Sequence, residues 1–227
     1  MKKLLIGLAI SVLASCTRSE LATWNSEMNI SIEIDGEKFE GVGSIEVVVH
    51  WDDAPLAPGA FVSVDYIGEA VQIDVGEHGV VFALWRTHQC EDEQRAVFLH
   101  GLDLPLGRHQ TEKRKHRQQA KSALSAFLNS NSQFELSDST LPVLIWFSDL
   151  SDPQTAQLVT PKTINSIFGD EAKIVSVNVG VSNAPRSPST IAPILPWTDG
   201  AEINALNESE FSAELPNCLT RRDFLVE

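Results

Sequence analysis

In the run "MNISIEID" the residues Met28, Ile30, Ile32 and Ile34 alternate with Asn29, Ser31 and Glu33. A period of two fits one conformation, an extended strand with one face on a core and the other toward water. "SIEVVVHW" repeats the pattern, with Ile45, Val47, Val49 and Trp51 inward and His50 outward as a solvated histidine. The upstream Gly41 and Gly43 predict a bulge or sharp bend. "FVSVDY", "VQIDV" and "VVFALW" follow at close spacing, joined by Gly-containing turns such as "GEHG", whose His78 falls at the tip. Connections this short leave no room for crossover helices, so the strands must pair antiparallel.

The period then changes. In "TEKRKHRQQAKSALSAFLNSN" Ala120, Ala123, Leu124, Phe127 and Leu128 fall at i, i+3, i+4, i+7 and i+8, an apolar helical stripe to pack on a sheet. The first half carries no such stripe and instead gathers Lys113, Arg114, Lys115 and Arg117, with Lys121 following. "LPVLIWFSD" is a continuous apolar run, as in a central strand, and "TAQLV" can pair back on it. In "TPKTINSIFG" Thr160 reads as the N-cap, Pro161 as the first helical residue and Gly169 as the stop, with Ile164, Ile167 and Phe168 on one face. "KIVSVNVGV" alternates again, placing Val175, Val177, Val179 and Val181 on the core side. The expected fold is α+β: an antiparallel β-meander with one longer amphipathic helix and one short helix.

Chemistry is harder to find. The chain has no G-x-S-x-G elbow, no H-E-x-x-H and no phosphate-cradling G-x-x-x-x-G-K. Asp149 and Asp152 flank the "SDPQ" turn, where Asp before Pro153 is a turn initiator and no partner base is evident. A zinc site on His88 and Cys90 lacks a second Cys/His cluster at ligand spacing. No catalytic residue, metal or cofactor is implied.

The start of the chain is more informative. Lys2 and Lys3 precede an apolar run from Leu4 to Ala14, 11 residues long, which is secretory-leader layout. A membrane span needs about 20 apolar residues, so this run is too short for one. Leu13, Ala14, Ser15 and Cys16 resemble the lipobox of bacterial lipoprotein precursors. That resemblance implies a diacylglyceryl thioether on Cys16, cleavage before it, and an anchor of two or three acyl chains in the membrane. Thr17 rather than Asp after the cysteine implies sorting to the outer membrane. The competing reading is an ordinary leader that ends near a chance cysteine. The body of the chain, in "GSIEVVVHW", "GEAVQIDVG" with "VVFALW", "LPVLIWFSDLSDPQTAQLVTP", "IFGDEAKIVSVNVGV" and "ILPW", is similar in order to a group of uncharacterised Gram-negative lipoproteins and hypothetical proteins. No activity comes with that resemblance.

Boundaries follow: 1–15 a signal peptide, 16–27 a lipidated N-terminus and linker extending some 40 Å at about 3.5 Å per residue, 28–199 a single α+β domain, and 200–227 an acidic tail. With Cys16 acylated, Cys90 and Cys218 remain as a pair that an oxidising periplasm lets bridge; two reduced, buried thiols are the alternative.

Net charge is −14, and −16 once Lys2 and Lys3 leave with the leader, which argues against nucleic acid as a partner. Against that background, six Lys and Arg and one acid, Glu112, lie between Arg108 and Lys121. Either these cations compensate acids on the body, or Lys113, Arg114, Lys115 and Arg117 form an interaction surface for anionic headgroups or an acidic partner. Two classes of function stand. One is a non-enzymatic envelope lipoprotein binding an envelope protein or polysaccharide; the other is an envelope-polymer hydrolase using scattered carboxylates.

Overall fold

A computed structural model describes residues 18–52, 62–87, 96–102, 113–130, 133–198, 219 and 223–226. Among the described residues, ten strands form two antiparallel sheets, with two α-helices. The larger sheet contains β1 (Arg18–Ile34), β2 (Glu37–Asp52), β3 (Val62–Glu69), β6 (Gln133–Glu135), β9 (Lys173–Ser182) and β10 (Leu225–Val226), in the order β10-β3-β2-β1-β9-β6. The smaller contains β4 (Val71–Asp74), β5 (Val80–Thr87), β7 (Pro142–Phe147) and β8 (Ala156–Val159), in the order β4-β5-β7-β8. The helices are α1 (Lys113–Ser130) and α2 (Ile164–Phe168). Successive strands pair in β1-β2-β3, β4-β5 and β7-β8, but β9 lies beside β1 and β7 beside β5, so in place of one meander there are two sheets, and the broad α+β class is dominated by strand.

The sequence patterns separate the two layers. β1 and β2 alternate because only their inner face is covered: Met28, Ile30, Ile32, Ile34, Ile45, Val47, Val49 and Trp51 are all buried. β5 and β7 read as continuous apolar runs because both of their faces are buried. Val81, Ala83, Trp85 and Leu144 join the core between the sheets, whereas Phe82, Leu84, Val143, Ile145 and Phe147 form a second core on the far side. Ile191, Leu195, Leu219 and Phe224, from the C-terminal part of the chain, close that second core.

Gly41 and Gly43 make neither bulge nor bend; they pair in register with Ile30 and Met28. Their role is clearance between layers. A Cβ on Gly41 would lie 2.5 Å from the Gln72 carbonyl oxygen, and one on Gly43 2.7 Å from Val71 Cγ2, so β4 crosses β2 where β2 has no side chains. Gly68, next to last in β3, packs onto Ile45 in the same way.

Three local expectations change. β1 begins at Arg18, so most of the segment expected as a linker is strand, pairing Arg18 with Asp52 and Ser19 with Trp51. Val175 is 43% exposed: a register shift between Ser31 and Ile32 brings Ile174 to the core instead, while Val177 and Val179 stay buried. α2 starts at Ile164 with Thr163 as its N-cap, because the Thr160 hydroxyl accepts from the amides of Lys162 and Thr163 and closes a separate turn first. Gly169, at φ 102°, ends the helix as expected.

After β9 the chain becomes a strap. The Ser182 hydroxyl donates to Glu27 on β1, the Ser44 hydroxyl of β2 donates to the Pro185 carbonyl, and Ser187 and Ser44 exchange further bonds. Glu69 at the end of β3 accepts from the Ser189 hydroxyl and from the amides of Thr190 and Ile191. One carboxylate thus satisfies successive backbone donors where the strap passes from the large sheet to the outer face of the small one.

Candidate interaction surface and the C-terminal closure

The basic helix lies against the beginning of β1. Ala120, Leu124 and Phe127 are buried, and Phe127 meets Trp24 of β1 edge to face with 5.9 Å between ring centroids. One turn earlier the same face continues with His116 and Arg117, both half-buried, so the packed stripe reaches further toward the helix start than its apolar residues do. Arg117 Nη2 donates to the Ser19 hydroxyl at 3.0 Å. Arg117 accordingly faces the sheet and holds the helix to it, which separates it from the role in which the sequence grouped it with Lys113, Arg114 and Lys115. Lys113, Arg114 and Lys115 make the first turn; their side chains lie outside the described residues, and Lys121 is exposed. The helix carries no Asp or Glu, so its positive start gains no support from its own acids, and the macrodipole opposes it.

Other charges meet at this end of the sheet. Arg18 donates to Asp65 at 2.6 Å and to the Ser63 hydroxyl at 3.1 Å. His50 Nε2 stands 3.4 Å from the same Asp65 carboxylate with only 20% of its side chain exposed. It is therefore a sheltered histidine beside an acid rather than a solvated one. Both partners of the Arg18–Asp65 pair are about half exposed, where such pairs contribute about 0–1 kcal/mol. Trp24 Nε1 and His116 Nδ1 are buried without a hydrogen-bond partner among the described residues.

A second polar cluster was not foreseen. Asp223, the one buried charged residue among those described, binds Arg86 of β5 at 2.7 Å. Tyr66 of β3 is held protonated up to about 12, first by burial and then by the negative charge of Asp223, with Arg86 acting in the opposite sense. Its ring packs on Phe98 at 5.1 Å. Beside this cluster the Ala70 amide donates to the Phe224 carbonyl, and Leu225 pairs with Glu69. The cluster fastens the C-terminal segment across the junction of the two sheets. No local pattern links residue 86 to residue 223, which are 137 positions apart.

The remaining candidates are structural or lie elsewhere. Asp149 accepts from both the amide and the hydroxyl of Ser151, which lowers its pKa, and Asp152 caps the short turn at Pro153–Thr155 by accepting from the Gln154 amide. Both acids are used by the turn, as the sequence implied. His78 packs its ring edge to face on Phe168. Cys16, His88, Cys90 and Cys218 lie outside the described residues. Among the described residues no group of three or more His, Cys, Asp and Glu is placed to hold a metal ion, and no helix is long and apolar enough to cross a membrane. No protein-family model matches this chain, and no curated protein or solved structure is similar to it.

Proposed function

We propose that this chain is an envelope lipoprotein: exported by the leader at 1–15, acylated on Cys16, and held at the outer membrane facing the periplasm. Its body acts as a non-enzymatic binding or structural module for an envelope protein or polysaccharide. The observation that carries this reading is the order of two lysines, an 11-residue apolar run and Leu13-Ala14-Ser15-Cys16. The Cys16 thiol is the one nucleophile that the lipid-transfer step needs. Several acyl chains, each methylene worth about 0.8 kcal/mol, hold a protein on a bilayer almost permanently.

The non-enzymatic part draws support from how acids are used. A glycoside hydrolase needs two carboxyl groups about 5–9.5 Å apart across its substrate, and the most suggestive pair, Asp149 and Asp152, is committed to turn hydrogen bonds. Glu69 and Asp223 are likewise committed to closing the fold.

Metabolic labelling with a fatty-acid analogue tests the anchor. Wild type should incorporate label and partition into detergent, and Cys16→Ser should remain an unlabelled precursor. Equal labelling of the two would defeat the proposal.

A further inference from the structure

We propose that the first turn of α1, at Lys113–Lys115, rests on the anionic headgroups of the membrane that holds Cys16, and so fixes which end of the body faces the lipid. This inference deepens the anchored-lipoprotein reading and rests on it for the location of the membrane.

Position is the first argument. The Arg117–Ser19 hydrogen bond sets the beginning of α1 against the third residue after Cys16. Three residues extend no more than about 10 Å, close to the Debye length of about 8 Å at physiological salt. Whatever keeps Cys16 at a bilayer surface keeps the start of α1 within electrostatic reach of it. The opposite end of β1 is remote: Glu33, paired in the sheet with Lys38 and Lys173, lies 14 residues beyond Ser19, about 46 Å at 3.3 Å per residue.

Charge is the second. α1 has five Lys and Arg and no acid over its 18 residues, in a chain of net charge −14. With Arg117 turned to the sheet, the cations at 113, 114 and 115 occupy the helix end where the dipole disfavours them. A negatively charged lipid surface reverses that penalty, each cation near it being worth about a fivefold gain in attraction. The acyl chains supply the affinity, and the basic turn supplies the orientation.

The test uses the intact chain, purified from membranes and reconstituted on phosphatidylglycerol or phosphatidylcholine vesicles. Lysines are labelled with a membrane-impermeant amine reagent and read by mass spectrometry. Lys113 and Lys115 should be several-fold less modified on the anionic vesicles, and the difference should vanish in about 1 M salt, where the Debye length is ~3 Å. Lys38, Lys162 and Lys173, all exposed, should be modified equally on both. Equal modification of Lys113 and Lys115 on the two lipids overturns the inference. Protection in native envelopes but not on protein-free anionic vesicles also overturns it, in favour of an acidic protein partner. The mass of the N-terminal peptide reports acylation separately. If Cys16 is unmodified the anchor reading fails, and flotation of the chain with anionic vesicles decides the contact alone: binding lost in K113Q/R114Q/K115Q supports it, and no binding by wild type overturns it.

Discussion

Arg86 and Asp223, 137 positions apart in the chain, meet at 2.7 Å with the carboxylate side chain only 8% exposed. Removing one partner of a buried pair leaves the other charged and poorly solvated, whereas replacing both with apolar side chains is close to neutral. Asp223→Ala is expected to cost about 3 kcal/mol in chemical denaturation, and Arg86→Met combined with Asp223→Leu much less than the sum of the single changes.

Tyr66 is the only tyrosine in the chain, so phenolate absorbance during an alkaline titration reports it alone. The folded protein should ionise it near 12, against 10.0 for the ordinary group. Since the fold favours the protonated phenol, its contribution is complete below about pH 10 and disappears as pH rises toward 12. That loss amounts to about 2–3 kcal/mol, which Tyr66→Phe should abolish. Asp223→Asn should move the transition downward by removing a neighbouring negative charge.

The same junction bears on the cysteines. Cys90 is four residues beyond Arg86, and Cys218 five before Asp223. Segments of that length reach about 14 and 17 Å, which is ample for the two thiols to meet. If Cys16 is acylated as proposed, alkylation of the unfolded, unreduced protein should find no free thiol, and reduction should lower stability by up to about 5 kcal/mol, since Cys90 and Cys218 are 218 − 90 = 128 positions apart. Two alkylated cysteines would establish that the pair is reduced.

Gly41→Ala should destabilise by about 2–3 kcal/mol, because its new methyl would meet the Gln72 carbonyl and Ile73 across the sheet interface. Gly36→Ala is the comparison. It sits in a turn at φ +80° with nothing within 4 Å of a new Cβ, so only backbone strain of about 1 kcal/mol applies. Thermal melts of the two variants separate clearance between layers from conformational freedom.

Much of this architecture was legible. Alternation gave β1 and β2, and continuous apolar runs gave β5 and β7, because burial on one face or two leaves different periods in a sequence. What stayed hidden was non-local. Gly41 and Gly43 showed that something was unusual about β2, but only the crossing of β4 reveals what. The bulge at Val175 depends on the register of β1, and the Arg86–Asp223 pair depends on where the C-terminal segment returns. At the candidate surface the sequence found the basic helix and could not see that Arg117 turns inward, because helical period alone does not reveal that the buried stripe outlasts its apolar residues.

The early start of β1 also governs how the body bears load. Tension applied to the chain before Arg18 enters β1 along its axis. That strand is bonded to β2 from Arg18 to Ile34 and to β9 from Asn25 to Glu33. Pulling in that direction loads the β2 ladder from Arg18 and the β9 ladder from Asn25 in shear, so many hydrogen bonds share the force. Tethered from this end, the body would resist mechanical extraction far better than one hung from an edge strand.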